Sequence, residues 1–324
     1  MKEVAIGIDI GGTNTVVGIV DQKGHVFASG GISTAAYDDI DDYSEALFAE
    51  IDRLVDTISD IKVLGIGIGA PNGNYYSGAI EFAPNLKFKG VVPLVEIFKR
   101  RYDYPAIALT NDANAAAIGE MIYGGAKGMK NFIMITLGTG LGSGIVINGE
   151  LVYGHDGFAG ELGHVIAVPN GRQCGCGRKG CLETYCSATG LTRTVSALIG
   201  STQLPSSLRD VKASEITSKM IYEAAMEGDE LAKEAFRMTA EILGKALADA
   251  TAFSSPEAFF LFGGVANAGD TIIKPTKKYM EEHMLSIYRN KVQIIKSELP
   301  GAHAAVLGAS SLVWKELEAA AQHA

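Results

Sequence analysis

The residues with the most specific chemistry lie in one short stretch. His164 stands in Glu161-Leu162-Gly163-His164, and Cys174, Cys176 and Cys181 follow in the run CGCGRKGC. Three thiolates and one imidazole complete a tetrahedral set, which predicts a closed, structural Zn²⁺ site. Glycines at 171, 175, 177 and 180 let the backbone wrap closely around an ion. Cys186, in helical register with Leu182, reads as a buried free thiol outside the ligand set. His25, His155, His283, His303 and His323 have no comparable company and read as surface or structural residues. The four cysteines do not form a disulfide scaffold, and their clustering suits a reducing compartment.

A second kind of chemistry is carried by glycine turns. A phosphate needs backbone N–H groups aimed at it and little steric bulk. The turn Asp9-Ile10-Gly11-Gly12-Thr13 offers both, with a Thr13 hydroxyl as an extra donor and Asp9 placed to hold hydrated Mg²⁺. Gly138-Thr139-Gly140-Leu141-Gly142-Ser143-Gly144 has the same character, and Gly263-Gly264 follows a buried strand where a base or ribose could rest. Taken singly, each is as well read as an ordinary hairpin turn. Together they point to a nucleotide site. No Walker-type glycine–lysine loop occurs. The G-x-G-x-x-G match at 175–180 lies inside the cysteine cluster and follows no strand, so it is not a dinucleotide fingerprint.

A third group consists of oxygen-bearing side chains. Asp112, in Thr110-Asn111-Asp112-Ala113-Asn114, sits where a strand ends and can take a proton from an attacking hydroxyl. It reads equally as the N-cap of the following helix, and one residue can do both. Asn85, Asn111, Glu161 and Glu183 are good partners for sugar hydroxyls, although as isolated residues they read as surface groups.

Strands are expected at 4–10, 16–20, 25–28, 63–68, 106–110, 132–137, 144–147 and 258–262, from short apolar, β-branched runs bounded by glycine. Apolar spacing predicts helices over 44–58 and 229–252, after Asp112, and through the Ala-rich last 20 residues; 169–181 reads as loop. Residues 6–20 and 133–147 are both strand, small-residue turn, strand, with Asp9 opposite Thr136 and Gly11 opposite Gly138. A duplicated hairpin predicts two similar α/β domains facing each other across a cleft. The length of 324 residues, 47% hydrophobic and 20% charged, fits two globular domains. A net charge of −9 argues against a general nucleic-acid binder. No apolar run is long enough for a bilayer, and the first residues lack the layout of a signal peptide.

The chain resembles the ROK sugar kinases over nearly its whole length: DIGGT, AP-N-L, T-N-D-A-N, LGTGLGSG, E-L-G-H, CGCGRKGCLE and F-G-G-V. The resemblance implies an α/β fold of two actin-like (ribonuclease H-like) domains with the active site in the interdomain cleft. Residues 1–118 plus 301–324 would form the N-terminal domain, closed by the last helix, and 119–300 the C-terminal domain with the zinc loop. Asp112 would be the base that deprotonates the sugar O6. Asn85, Asn111, Glu161, His164 and Glu183 would contact the sugar, with His164 also a zinc ligand beside Cys174, Cys176 and Cys181. Asp9, Gly11, Gly12, Thr13, Gly138, Thr139 and Gly140 would serve Mg²⁺ and phosphate, and Gly263 and Gly264 the nucleotide. FGGVAN lacks a glycine that many members carry in this third turn.

The expected activity is ATP-dependent phosphorylation of a hexose, glucose first, with Mg²⁺ and structural Zn²⁺, in a cytoplasmic dimer or tetramer. The alternatives are kinases for N-acetylmannosamine, fructose or allose, and a non-catalytic sugar-sensing regulator. The regulators carry an N-terminal helix-turn-helix, whereas here a strand is expected from residue 4. An actin-like chaperone or ATPase would not carry the Cys/His cluster. The stretch from Asn72 to Gly78, polar and aromatic, is expected on the sugar side.

Overall fold

The computed structural model describes residues 1–299 and 303–322. His323 and the expected domain segments at 300–302 and 323–324 lie outside them. The first half contains β1 (Lys2–Ile10), β2 (Thr15–Asp21), β3 (Val26–Ile32), α1 (Ile40–Asp56), β4 (Ile61–Ala70), β5 (Gly73–Asn74), β6 (Ala79–Glu81), β7 (Val91–Val92), α2 (Leu94–Arg101), β8 (Ala106–Asn111) and α3 (Asp112–Tyr123). The second half contains β9 (Phe132–Leu137), β10 (Leu141–Ile147), β11 (Glu150–Leu151), α4 (Glu183–Cys186), α5 (Ala188–Ser201), α6 (Ser218–Met226), α7 (Glu230–Ser254), β12 (Ala258–Phe262), α8 (Asp270–His283), β13 (Gln293–Lys296) and α9 (Ala304–Gln322).

The two halves repeat one topology. The first sheet runs β3-β2-β1-β4-β8 and the second β11-β10-β9-β12-β13. In each, an antiparallel hairpin is followed by parallel strands. The duplicated hairpin read from the sequence is therefore real at the level of whole sheets. Strands β5, β6 and β7 form a small third sheet.

Strand alternation decides what covers each face. On the first sheet, Ile6, Ile8, Val17, Ile19, Ile66 and Ile68 point to a core shared with Leu47 and Ile51 of α1 and Phe98 of α2. The intervening positions are small. A Cβ on Gly7 would come within 2.0 Å of the Val306 carbonyl, and one on Gly67 within 1.9 Å of the Ala309 carbonyl. These glycines let α9 lie directly on the sheet backbone. On the second sheet, Ile133, Ile135 and Leu137 join the core under α5 and α7, while Phe132, Met134 and Phe260 pack against Ala117 and Ile118 of α3. Helices α3 and α9 thus form a shared layer between the two sheets. They cross where a Cβ on Gly119 would sit 2.8 Å from the Gly308 Cα. The 118/119 boundary expected from the resemblance falls inside α3.

Helix α1 starts earlier than its apolar spacing indicates. Asp39 caps it by accepting from the Asp41 and Asp42 amides, and the helix ends before Ile58. Helices α2, α5, α6 and α8 and strand β13 were not expected; their apolar residues are sparse or split by polar ones.

Candidate active site

The C-terminal ends of β1, β4, β8, β9 and β12 open toward one another around a cavity of about 820 Å³. Asp9, Asn85, Asn111 and Asp112 line one side, and Gly138, Thr139, Gly140, Glu161, His164, Cys176, Glu183 and Gly263 the other. Gly11, Gly12, Thr13, Gly264, Cys174 and Cys181 are not among the lining residues. The Gly11 amide donates to the Asn14 carbonyl at 2.9 Å, so it closes the turn on itself. A Cβ on Gly12 would meet the Asn85 carbonyl at 2.7 Å, so this glycine permits the turn to dock on the Asn85 loop.

Among the described residues, no lysine or arginine lines the cavity, while four carboxylates do: Asp9, Asp112, Glu161 and Glu183. A polyphosphate here must therefore be neutralised by backbone N–H groups and a bound cation. Burial, reinforced by the negative charge of Asp112, pushes the Asp9 carboxyl up to about 6. A cation beside it would reverse that cost. Asp112 is reached by solvent through the cleft, but the protein on both walls displaces enough bulk water to raise its carboxyl above the usual range. Two backbone amide contacts partly oppose the rise. A raised pKa makes a stronger base once ionised. Glu161 is raised too, first by burial, with His164 opposing and Asp112 and Glu183 adding to it.

The N-cap of α3 is Asn111, whose side chain accepts from the Ala113 amide at 2.9 Å. Asp112 is the first helical residue and accepts from the same amide at 2.8 Å. The alternative reading of Asp112 as the cap itself is corrected: the cap belongs to its neighbour. This leaves the Asn111 amide nitrogen and one Asp112 oxygen toward the cavity.

His164, Cys174, Cys176 and Cys181 place one ligand atom each within 4.8 Å of all the others. Cys174 Sγ lies 3.8 Å from His164 Nδ1, and Cys176 Sγ lies 3.6 Å from Cys181 Sγ. A tetrahedron with metal–sulfur bonds of about 2.3 Å has edges of about 3.8 Å, so the set fits Zn²⁺. Burial holds the Cys174 thiol well above its ordinary range, so its thiolate form calls for a cation. His164 turns Nδ1 toward the sulfurs and Nε2 toward Glu161, 3.9 Å from Oε2. One ring can thus serve the metal and the cavity. The loop is tightly folded: Cys174 N–H donates to the Arg178 carbonyl, and a Cβ on Gly180 would strike the Val168 carbonyl at 1.9 Å. Cys186 is buried outside the set, as expected, with Sγ 3.6 Å from the Thr239 carbonyl.

Several positioning contacts join residues from separate segments of the chain. Arg172 donates to the Thr184 and Gly190 carbonyls and to Thr194 Oγ1, stacks over Tyr185, and so anchors the zinc loop to α4 and α5. Ser143 Oγ donates to the Gly160 carbonyl and accepts from the Leu162 amide, fixing the segment that carries Glu161. Glu183 Oε2 accepts from the Leu141 amide at 3.3 Å, tying the zinc loop to the glycine turn. In the Asn72–Gly78 stretch, only Asn72 lines the cavity. Tyr75 stacks on Tyr153 at 4.2 Å and donates to Glu316, and Tyr76 donates to the Gly154 carbonyl. Those tyrosines clasp the two halves together instead of facing a substrate.

A two-sheet α/β fold with an acidic, glycine-walled cleft and a Cys₃His cluster on its rim defines a class, and the sequence comparison agrees. The chain belongs to the ROK family, matched over residues 5–316, and has its actin-like two-domain fold. It is 34% identical to a glucokinase of Streptomyces coelicolor over 319 residues, 95% of this chain and 97% of that one. It is similar to the crystal structure of a ROK family glucokinase from Streptomyces griseus in complex with glucose and AMPPNP. That match has a TM-score of 0.79 and 33% identity, over 96% of this chain and 99% of the other. A ROK family transcriptional regulator, homologous to the Escherichia coli Mlc protein, matches with a TM-score of 0.87 and 27% identity, over 98% of this chain and 79% of the regulator. No helix of the described residues is long and apolar enough to cross a membrane.

Proposed function

We propose that this protein is an ATP-dependent hexose kinase that phosphorylates O6, with glucose as its acceptor. The observation that carries the reading is Asp112 in a cavity lined both by sugar-binding oxygens and by a glycine turn for phosphate. The full-length likeness to glucokinases supports glucose as the acceptor. Asp112 accepts the O6 proton as that oxygen attacks the terminal phosphorus; the bond from phosphorus to the bridging oxygen breaks, and ADP leaves with that electron pair. Asn85, Asn111, Glu161, His164 and Glu183 orient the sugar. The 138–140 turn and Gly263 hold the nucleotide. When bound, Mg²⁺ neutralises the phosphates beside Asp9. Zn²⁺ would be held by His164, Cys174, Cys176 and Cys181 and serve structure alone. The first-half sheet with α9 and the second-half sheet would be the two domains. Metal-binding thiolates suit the cytoplasm.

The testing assay couples ADP release to Mg²⁺-ATP against glucose, mannose, fructose, allose, glucosamine, N-acetylglucosamine, N-acetylmannosamine and no sugar. Glucose is expected to lead. Preference for another sugar replaces the acceptor, and absence of sugar-dependent ADP release moves the non-catalytic regulator to the front. In the same assay, Asp9→Asn should raise the Mg²⁺ concentration needed for half-maximal rate; an unchanged requirement removes Asp9 from the metal site. Without cation, Asp9 keeps its proton to a higher pH folded than unfolded. Its contribution therefore favours the fold below about pH 4 and is lost as pH rises through about 6. Asp9→Asn should accordingly be the more stable protein at neutral pH.

The chain is also proposed to self-associate. Phe253 is 96% exposed beside Val165 and Ile166, on a groove shared with Ile145 and Ile242. Lys245 and Asp249 lie one turn apart on the same face of α7, so an antiparallel two-fold pairing sets opposite charges across from each other. Phe253→Ser should lower the sedimenting mass; an unchanged mass excludes this face.

A further inference from the structure

Segment 79–88 buries nearly all of its apolar side chains: Ala79, Ile80, Ala83, Leu86 and Phe88 join the core. Phe82 and Pro84 are the exceptions. Phe82 is 70% exposed and lines the cavity with Pro84 and Asn85. Its backbone is left-handed, with φ 52°, a region a bulky aromatic rarely enters. That conformation turns the ring away from the core that its neighbours fill. It is held there from two directions. The Phe82 amide donates to the Gly90 carbonyl at 2.8 Å, and the Asn72 side chain donates to the Glu81 carbonyl at 2.9 Å. Asn72 is itself left-handed, at φ 50°. Strain kept at a cavity wall marks a residue whose direction matters.

Glu161, His164 and Glu183, from the second half of the chain, line the same cavity. A pyranose has a hydroxyl edge and an apolar face of C–H groups. Carboxylates and imidazole match the edge, and an aromatic ring matches the face. We propose that Phe82 is a specificity-determining contact that covers the apolar face of the hexose while Glu161, His164 and Glu183 hold its hydroxyls. This rests on the hexose-kinase reading and adds a substrate contact outside the motifs that carry it.

Phe82→Asn tests it, because asparagine accepts the left-handed backbone but has no ring. The KM for glucose should rise about tenfold or more, with the KM for ATP unmoved. Phe82→Trp supplies a second readout. The chain has one tryptophan, Trp314, which is buried, so an indole at the cavity wall is a distinct reporter. Its emission should shift when glucose is added without nucleotide. An unchanged glucose KM in Phe82→Asn, alongside an active unaltered enzyme, overturns this inference alone. Emission of Phe82→Trp that saturating glucose leaves unmoved does the same. An unaltered protein with no sugar-dependent ADP release overturns the kinase reading and this contact with it.

Discussion

Asp112→Asn is expected to lower kcat by about 10²–10⁴, the usual contribution of a positioned general base. Asparagine keeps the size and the hydrogen bond to the Ala113 amide but cannot hold a proton taken from O6. Glucose binding, measured by calorimetry, should persist, since Asn85, Asn111, Glu161 and His164 are untouched. The pH profile gives an independent check. Burial raises the Asp112 carboxyl, so the unaltered enzyme should lose kcat/KM as pH falls toward the upper carboxylate range. The variant's residual rate should lack that limb. Near-normal turnover would remove Asp112 from the chemistry.

Loss of the metal should have the other large effect. Elemental analysis is expected to find about one zinc per chain, held by four ligands. Cys176→Ser removes the most accessible ligand with little change in size. It should bring the metal content close to zero and destabilise the fold by about 4 kcal/mol, the range of lost metal sites. For a protein with domains of this size, that is a Tm decrease of roughly 10 °C. Kinetically, the glucose KM should suffer more than the ATP KM, because the loop orients Glu161, His164 and Glu183. A zinc-free protein with full activity would refute the site.

What the sequence makes legible follows from how local each signal is. The residues of the proposed zinc site are close in the chain and their types are restrictive, so four residues suffice to name it. The repeated hairpin is visible because strand, glycine turn and strand are contiguous in both halves. Asp112 is visible because a short apolar strand ends at it. Other features depend on distant partners. The Gly11 amide looks available for phosphate until Asn14 claims it. Tyr75 looks like a substrate contact, but its hydroxyl goes to Glu316, 241 residues away. The direction of the Phe82 ring is set by the sign of one φ angle, which residue type does not reveal. Arg172 has no motif at all, and its role comes from three carbonyl and hydroxyl oxygens brought together by α4 and α5.

Helix α9 covers a face of the first sheet, yet it is made some 300 residues after β1. At about 5–20 residues per second, the nascent chain waits roughly 15–60 s for it. Throughout that interval the waiting face presents Ala5, Gly7, Gly18, Gly65, Gly67 and Ala106, with hardly a large apolar side chain among them. The face that carries the isoleucines is closed by α1 and α2, which leave the ribosome early. The small residues that admit the last helix thus also give the unfinished half little for other chains to adhere to while synthesis is completed.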